Sequence, residues 1–322
     1  MNDINNYKNI KLSKKFYEHK SKSFTQILEE LDPDDIYVDS PLKTLDAYER
    51  QLRRFDIKVK GSNADSLKKF FETTETALLF PEFVNRKINR GYKSNAVLSH
   101  IVSSEYYLYD NGYDSIIDYK LTKSNANTYE LKHNLYNEIK PLLINLNVSY
   151  DSIKDINLNS FGIILNNMGN VLAYDTFNYC IERLTNFMCI MPSDIVHIKN
   201  INYKTILSIG NLSYGIDTFI CDTSTLSKIL SLPEFETYIS IDSNRPGIYN
   251  TNIGITIIGC NTLKNEIIAL NSNTAINAIY GSKGKLNWET LMSTDFNKIE
   301  YILDIGFSKI IDKSVIRCLV KK

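Results

Sequence analysis

The sequence lacks the long apolar runs that membrane-spanning and secretion segments need. No run approaches the roughly 20 apolar residues that cross a bilayer. Residues 1–15, MNDINNYKNIKLSKK, lack the apolar core of a secretion signal. We therefore expect no membrane partner and a protein that is made and kept in a cytoplasm.

An excess of charge of one sign is also absent, because 37 basic and 37 acidic side chains cancel. This balance argues against a global field that would draw the whole protein to nucleic acid or to a membrane surface. Neutrality leaves room for a locally basic face. The length of 322 residues, with 43% apolar content, allows one large or two medium domains.

The residues that carry metal or redox chemistry are few and scattered. The cysteines are odd in number and widely separated, which favours reduced structural thiols over a disulfide framework: Cys180, Cys189, Cys221, Cys260 and Cys318. The histidines show no ligand spacing to one another or to a cysteine: His19, His100, His133 and His197. We therefore predict no metal site and no cofactor.

Motifs for catalysis are missing as well. Residues 280–286, YGSKGKL, lack the spacing of a phosphate-binding loop and predict a turn. Asp32, Asp34 and Asp35 surround a proline in a linker, where acid–base work is hard to position. We predict no catalytic, cofactor-binding or metal-binding residues and a protein that is not an enzyme. An enzyme whose site is hidden from a single sequence stays an alternative.

The most informative stretch that is present runs from residue 40 to residue 91. Ser40-Pro41 predicts a helix start, and an apolar stripe follows at helical spacing, formed by Leu42, Leu45, Tyr48, Leu52 and Phe55. This helix has a face to bury and no core of its own, which indicates an arm that packs on something else. Residues 1 to about 40 are predicted to be a flexible or partner-dependent lead-in, with a solvated tail as the simpler interpretation.

Charged residues occupy the other face of this predicted helix. Asp46–Arg50 and Glu49–Arg53 have the favourable acid-before-base order four residues apart. Arg50, Arg53 and Arg54 either reach a neighbouring molecule or form ordinary surface pairs.

Two further helices are predicted. Phe80-Pro81 opens one through about Arg90, and Gly91 stops it; residues 80–82 are either an assembly hinge or a simple helix start. The longest helix is predicted over 160–186, about 40 Å long. Its buried stripe is formed by Phe161, Leu165, Met168 and Leu172, and Ile164 and Val171 widen it.

The remaining segments alternate between strand-like and helical patterns. Residues 111–146 predict an extended hairpin with a poorly buried tip. Beyond residue 192, strands are predicted over 216–221, 253–258 and 266–270, with a helix capped by Asp222-Thr223 and a short helix over 274–280. Gly306 is predicted to separate an amphipathic run from a final strand.

In this order, the pieces resemble the major capsid proteins of tailed bacteriophages, which share the fold first seen in phage Hong Kong 97. The resemblance is closest to those of phages and prophages of low-GC Gram-positive bacteria. It rests on LDAYERQLRRFDIKVKGSNADSLKKFF (45–71), TETALLFPEFVNRKINRG (74–91), SYDSIKDINLNSFGIILNNMGNVLAYDTFNYCIERL (149–184) and LDIGFSKIIDKSVIRCL (303–319). Each block is an apolar pattern without a chemical signature, and their ordered combination is the specific signal.

The resemblance implies an α+β fold and a division of the chain. Residues 1–80 would form an N-terminal arm and 81–110 the first part of a peripheral domain. Residues 111–147 would be the extended E-loop, and 148–191 would return to the peripheral domain with its long spine helix. Residues 192–280 would form the axial domain, and 281–322 the C-terminal return to the peripheral domain.

The resemblance also implies the function: self-assembly into pentamers and hexamers of an icosahedral head around double-stranded DNA. The implied partners are copies of the same chain, portal and scaffolding proteins, and packaged DNA held non-specifically on the inner face. The implied location is the virion capsid, assembled in the cytoplasm of the bacterial host. An encapsulin-type nanocompartment shell is the nearest alternative, and a phage tail tube or sheath component is a further one.

Two departures from the family pattern limit these implications. Residues 1 to about 40, which precede the predicted helix of the arm, are too few for the large cleaved scaffold segment of many members. We therefore expect a separate scaffolding protein or a scaffolding role for the lysine-rich start. Lysines of the loop region do not match the crosslinking motif of the type member, and we expect no covalent crosslinking: Lys120, Lys123, Lys132 and Lys140.

Overall fold

The structure is a computed structural model of mixed α and β composition. It describes residues 6–19, 22–38, 40–94, 97–108, 119–125, 128–133, 138–149, 155–189, 192–212, 215–236, 240–241, 247–251, 253–281, 284–291, 296–311 and 313–321.

The described helices are α1 (Asn6–Asn9), α2 (Phe24–Leu31), α3 (Ala47–Arg54), α4 (Thr74–Ala77), α5 (Phe80–Ser94), α6 (Leu158–Arg183), α7 (Tyr203–Gly210), α8 (Thr223–Leu230) and α9 (Pro233–Glu236). Short 3-10 helices cover Lys14–Phe16, Asp34–Tyr37, Pro41–Thr44, Leu67–Phe71, Val97–His100 and Pro192–Asp194, and a π-helical turn over Leu184–Met188 follows α6.

The described strands are β1 (Ser104–Tyr107), β2 (Tyr119–Asn125), β3 (Thr128–His133), β4 (Lys140–Ser149), β5 (Ile195–Ile198), β6 (Thr218–Cys221), β7 (Ser240–Ile241), β8 (Ile248–Asn250), β9 (Thr256–Gly259), β10 (Glu266–Leu270), β11 (Ile276–Tyr280), β12 (Lys285–Leu291), β13 (Phe296–Lys309) and β14 (Val315–Val320).

The chain divides into two compact units, each built from separate stretches of sequence. The first unit comprises residues 1–94, 143–172 and 284–302, and the second comprises 95–142, 173–283 and 303–322.

An aromatic cluster organises the first unit. The ring of Phe70 lies 5.7 Å from that of Phe80 and 5.3 Å from that of Phe83. Both of these helix α5 rings stack with Phe161 of α6, at 6.4 and 6.5 Å. In the same unit, β12 pairs antiparallel with the first half of β13, so that Leu286 lies opposite Tyr301.

A seven-stranded mixed sheet organises the second unit, in the order β5-β14-β10-β6-β9-β8-β7. Its central strands β6 and β10 are almost wholly buried and contribute Phe219, Ile267 and Ala269 to the core. Continuous burial of this kind is typical of a strand covered on both faces. The second half of β13 pairs antiparallel with β11, which pairs in parallel with β1.

Several predictions from the sequence are confirmed. The 26-residue helix α6 buries Phe161, Leu165, Met168 and Leu172. Strand β10 has the predicted bounds, and helix α8 follows its predicted cap, since the Asp222 carboxylate accepts hydrogen bonds from the Ser224 and Thr225 amides. The hairpin prediction is confirmed for β2 and β3, which form a two-stranded antiparallel sheet. Its tip lies outside the described residues.

The lead-in prediction is wrong. The described part of residues 1–40 is folded and buries Tyr7, Phe24, Leu28 and Tyr37. Helix α2 begins at a capping box in which Ser23 and Gln26 exchange hydrogen bonds. Composition suggested a tail because apolar residues are sparse there, but several of those present are buried, while Tyr17, Leu31 and Val38 are exposed.

The helix predicted from Ser40 is also divided differently. Ser40 caps only a 3-10 turn, and the α-helix begins at Ala47 after a capping box between Asp46 and Glu49. Both signals were visible in the sequence, and the second is stronger because it satisfies two backbone amides reciprocally.

Two glycines do not interrupt their elements as predicted. Helix α5 runs through Gly91 to Ser94, and strand β13 runs through Gly306. The segment predicted as a helix over 274–280 contains strand β11, whose five residues are all buried. A short apolar run fits either state, and here pairing with β13 and β1 decides.

Candidate assembly surfaces

A buried ion pair between Arg50 and Asp32 holds the predicted arm in place, and we call it the anchor. The Arg50 guanidinium contacts the carboxylates of Asp32 at 2.5 Å and Asp34 at 2.8 Å, and donates to the Leu45 carbonyl oxygen at 2.5 Å. The Arg50 and Asp32 side chains have no exposed surface. The Tyr37 hydroxyl donates to Asp32 at 2.5 Å, and burial followed by this bond raises the pKa of Tyr37 to about 12. A buried ion pair needs such additional hydrogen bonds to offset desolvation.

This anchor corrects the prediction for the arginine cluster. Arg50 points inward and does not pair with Asp46, so it is not available to a neighbouring molecule or to DNA. Arg54 bonds to the Ile10 carbonyl oxygen at 2.5 Å and to Glu75 at 3.4 Å. Only Arg53 is exposed.

A second network joins the arm to helix α5. Arg86 contacts Asp46 at 2.6 Å, Glu82 at 2.9 Å and the Thr25 hydroxyl at 3.0 Å, and its guanidinium lies 4.4 Å from the Tyr48 ring centroid. Burial alone would lower the pKa of Arg86, but the bonds to Asp46 and Glu82 raise it overall. The arm is therefore tied within its own unit by charged side chains, in contrast to the prediction that its apolar face waits for another partner.

Helices α5 and α6 touch backbone to backbone at two glycines. A Cβ on Gly91 would lie 1.9 Å from the Asn166 carbonyl oxygen, and one on Gly169 would lie 2.0 Å from that of Ile88. Real Cβ atoms do not approach a backbone so closely, so glycine is required at both positions. This contact explains why Gly91 continues the helix.

One face of α6 is left uncovered. The exposed fractions are 62% for Ile163, 40% for Ile164, 43% for Val171 and 43% for Tyr174. Ile164 and Val171 were predicted to widen the buried stripe, and that prediction is wrong. A row of exposed large apolar side chains is typical of a surface that meets another molecule.

A basic face lies on α5. Lys87 has a lowered pKa, caused first by burial and then by the nearby cations Arg90 and Lys60. In the part of the chain that the structure describes, neither Lys87 nor Arg90 forms an ion pair with a carboxylate. This is the locally basic face that the neutral composition allowed.

All five cysteines are free and buried, as predicted for packing thiols. Burial raises the pKa of Cys180 and Cys221, and it raises that of Cys318 to about 12. Thiols held this far from ionisation are poor nucleophiles and poor metal ligands.

The predicted absence of a metal site concerns the His, Cys, Asp and Glu side chains. Among the described residues, no three of these side chains come together as a metal site would require. No described helix is long and apolar enough to cross a membrane. Lys120 and Lys132 lie opposite each other in the β2–β3 register, and the Lys140 ammonium lies 5.2 Å from the Tyr179 ring centroid.

No protein-family model matches this sequence, and no curated protein sequence matches it. The structure is similar to that of a virus-like particle protein from Pyrococcus furiosus, with a TM-score of 0.51 and 14% identity. The alignment covers 74% of this chain and 98% of the particle protein. The chain has the Hong Kong 97 capsid fold.

Two other solved structures are similar to this chain at lower TM-scores. The mature capsid of bacteriophage PhiM1 matches with a TM-score of 0.45 and 6% identity, over 68% of this chain and 86% of that one. An encapsulin from Synechococcus elongatus matches with a TM-score of 0.42 and 10% identity, over 59% of this chain and 76% of that one. The predicted fold class is confirmed, including the long helix, which is α6.

Proposed function

We propose that this protein is the major capsid protein of a tailed phage, and that it assembles as pentamers and hexamers into an icosahedral head. The observation that carries the proposal is the match to the Pyrococcus furiosus particle protein, because nearly the whole of that shell subunit is aligned with this chain. The pattern of sequence blocks that resembles phage capsid proteins favours a phage origin.

The exposed face of α6 supports assembly. Ile163, Ile164 and Val171 together leave a broad apolar surface in water on a single chain. Burial of such surface between subunits is favourable by about 25 cal/mol per Å². A closed shell repeats each contact by symmetry, so modest contacts suffice.

The regional roles follow the same proposal. The arm would be residues 1–80, the E-loop 111–147 and the axial domain 192–280, with the peripheral domain formed by 81–110, 148–191 and 281–322. The β2–β3 pair supports the E-loop assignment because it forms a sheet of its own.

Packaged double-stranded DNA is the proposed content, held electrostatically and without sequence preference. Lys87 and Arg90 are the cations we assign to that contact, since neither forms an ion pair with a carboxylate among the described residues. Phosphate contacts of this kind weaken as salt concentration rises. Portal and scaffolding proteins are the further partners of this proposal.

Electron microscopy of the purified protein and of the parent lysate tests the function. Icosahedral particles are the expected result, and exclusively small oligomers under every assembly condition would refute the proposal. Helical cylinders would favour a tail tube or sheath, and an activity retained by a stable monomer would favour an enzyme.

The content of the particles separates a phage head from a nanocompartment. Double-stranded DNA inside particles from a lysate supports the phage assignment, whereas a co-purifying enzyme inside them supports an encapsulin. Replacement of Lys87 and Arg90 by glutamine should lower the nucleic acid retained per particle, and Lys228→Gln serves as a control because Lys228 is an exposed lysine of the other unit.

A further inference from the structure

Strand β5 forms one edge of the seven-stranded sheet and pairs only with β14 in the described structure. The Ile198 carbonyl oxygen accepts a hydrogen bond from the Lys321 amide at 2.9 Å, which sets the pattern of this parallel pair. Alternate residues of such a strand face the neighbour. The backbone groups of Ile195 and His197 therefore point away from the sheet, toward its open edge.

A groove of about 310 Å³ lies beside this edge, between β5 and α7. Its walls include His197, Lys199, Thr205, Ile209 and Leu212, and 45% of the Leu212 side chain is exposed. An open strand edge next to a partly apolar groove is the arrangement that binds an added strand: the edge supplies main-chain hydrogen bonds and the groove takes side chains.

The charge of the groove restricts what can bind. His197 and Lys199 line the groove and are exposed, and none of the side chains that line the groove is acidic. Lys204 is a further exposed lysine, on the neighbouring helix α7. Lysine on a strand edge discourages pairing with a neutral or basic strand. Complementary charge favours an acidic partner and opposes others.

The opposite edge of the same sheet has the complementary character. Strand β7 is the last strand there and pairs only with β8 in the described structure. Helix α9 precedes it, and Glu234 of that helix is exposed. In the sequence, Glu236 and Asp242 flank the strand closely, and Arg245 is the one basic residue between residues 229 and 263.

We propose that the β5 edge groove of one subunit receives the β7 edge of a second copy of this chain, so that the sheet continues from subunit to subunit. This inference rests on the proposed function. Two different edges of one molecule meet head to tail, and repeated head-to-tail contacts close into a ring when the rotation permits. Pairing of β5 with itself would give only a two-fold dimer, so the unlike edges suit a pentamer or hexamer.

Charge reversal tests this inference. Lys199→Glu together with Lys204→Glu should raise the protein concentration needed for particle assembly by about tenfold or more, because like charges would then meet across the interface. Lys228→Glu is the matched control, since it is an exposed lysine of the same unit on α8 and should leave assembly unchanged. Thermal unfolding of the unassembled variants checks that they fold.

A rescue experiment tests the inference more directly. A chain carrying both Lys199→Glu and Glu234→Lys restores opposite charges across the proposed contact, and we expect assembly closer to wild type than that of Lys199→Glu alone. Normal assembly of the Lys199→Glu/Lys204→Glu variant would overturn the inference while leaving the proposed function intact. Failure of the wild-type protein to assemble would instead refute the function itself.

Hydrogen exchange gives a readout that needs no variant. The His197 amide should exchange rapidly in unassembled subunits and slowly in particles, because it would then donate to a neighbouring strand. Equal exchange of the 195–199 segment in both states would contradict strand addition.

Discussion

The two units of the chain hold together by different means. The first is tied by charged side chains, with Arg50 and Arg86 each contacting two carboxylates. The second is built around apolar strands such as β6 and β10 and contains all five cysteines. An ion pair needs one particular partner, which often comes from a distant part of the sequence. A buried apolar sheet instead needs side chains of suitable volume at its core positions. The second unit also has ion pairs, Lys309–Asp194 at 3.1 Å and Arg317–Glu266 at 2.7 Å, and the first unit also has its aromatic cluster. The expected difference is therefore one of proportion: charge removal should weigh more in the first unit, and loss of side-chain volume should weigh more in the second.

The largest effect is expected at the buried anchor. Arg50→Met should lower the free energy of unfolding by about 3–5 kcal/mol, because it leaves the Asp32 carboxylate buried without its cation. Denaturant unfolding measures the change, and Arg53→Met is the control because Arg53 is exposed. If Arg50→Met combined with Asp32→Asn is as unstable as Arg50→Met alone, the charge is not the cause.

The corresponding change in the second unit is Phe219→Ala. It removes a fully buried ring from the sheet core and should cost about 3–5 kcal/mol. Urea unfolding at several salt concentrations tests whether this loss of stability is apolar in origin. The Phe219→Ala deficit should stay constant with salt, and a deficit that changes with salt would blur the distinction between the units.

A smaller effect is expected at the helix crossing. Gly169→Ala places a methyl group against the Ile88 backbone and should cost about 1–3 kcal/mol despite the better helix propensity of alanine. Gly162→Ala is matched to it, since it lies on the same helix and its added Cβ would meet only the flexible end of Lys87. Equal melting temperatures for the two variants would show that the helices are not in contact as described.

The smallest effect is expected at the cap of α8. Burial alone would raise the pKa of Asp222, but hydrogen bonds from Ser224, Thr225 and the Glu266 amide lower it overall. A carboxylate with a lowered pKa in the folded state stabilises the protein at neutral pH and loses that contribution as pH falls through the ordinary aspartate range. Asp222→Ala should cost about 1 kcal/mol at pH 7 and less at pH 3, measured by urea unfolding at both values.

The Asn202 cap of α7 serves as the comparison for the pH dependence of Asp222→Ala. Asn202 caps α7 through the Thr205 amide at 2.9 Å, and its side chain does not titrate. Asn202→Ala should therefore cost a similar amount at both pH values. A pH-independent deficit for Asp222→Ala would mean that the carboxylate charge is not what the cap uses.

Elements that are determined by residues close together in the chain could be predicted from the sequence. The Asp222 cap, the bounds of β10 and the buried stripe of α6 all follow from residues within one or two turns of each other. The resemblance to capsid proteins then predicted the fold class, which is confirmed.

Elements decided by distant residues could not be predicted in the same way. Gly91 is inside a helix because Asn166 crosses there, and Arg50 is buried because Asp32 reaches it from the C-terminal end of α2. The β5 groove had no signal in the sequence, since it depends on which strand lies at the sheet edge. The exposed face of α6 could not be predicted, because apolar residues of this helix occur on all of its sides.

The burial of every native thiol has a practical consequence for studying the particle. Maleimide dyes and spin labels need an accessible thiol, and all five cysteines are buried, so they should remain unlabelled while the protein is folded. A single cysteine placed at an exposed position such as Arg53 would then report alone, with no need to remove the native ones. Reporters at either end of the sheet would make subunit joining visible by fluorescence as the shell grows.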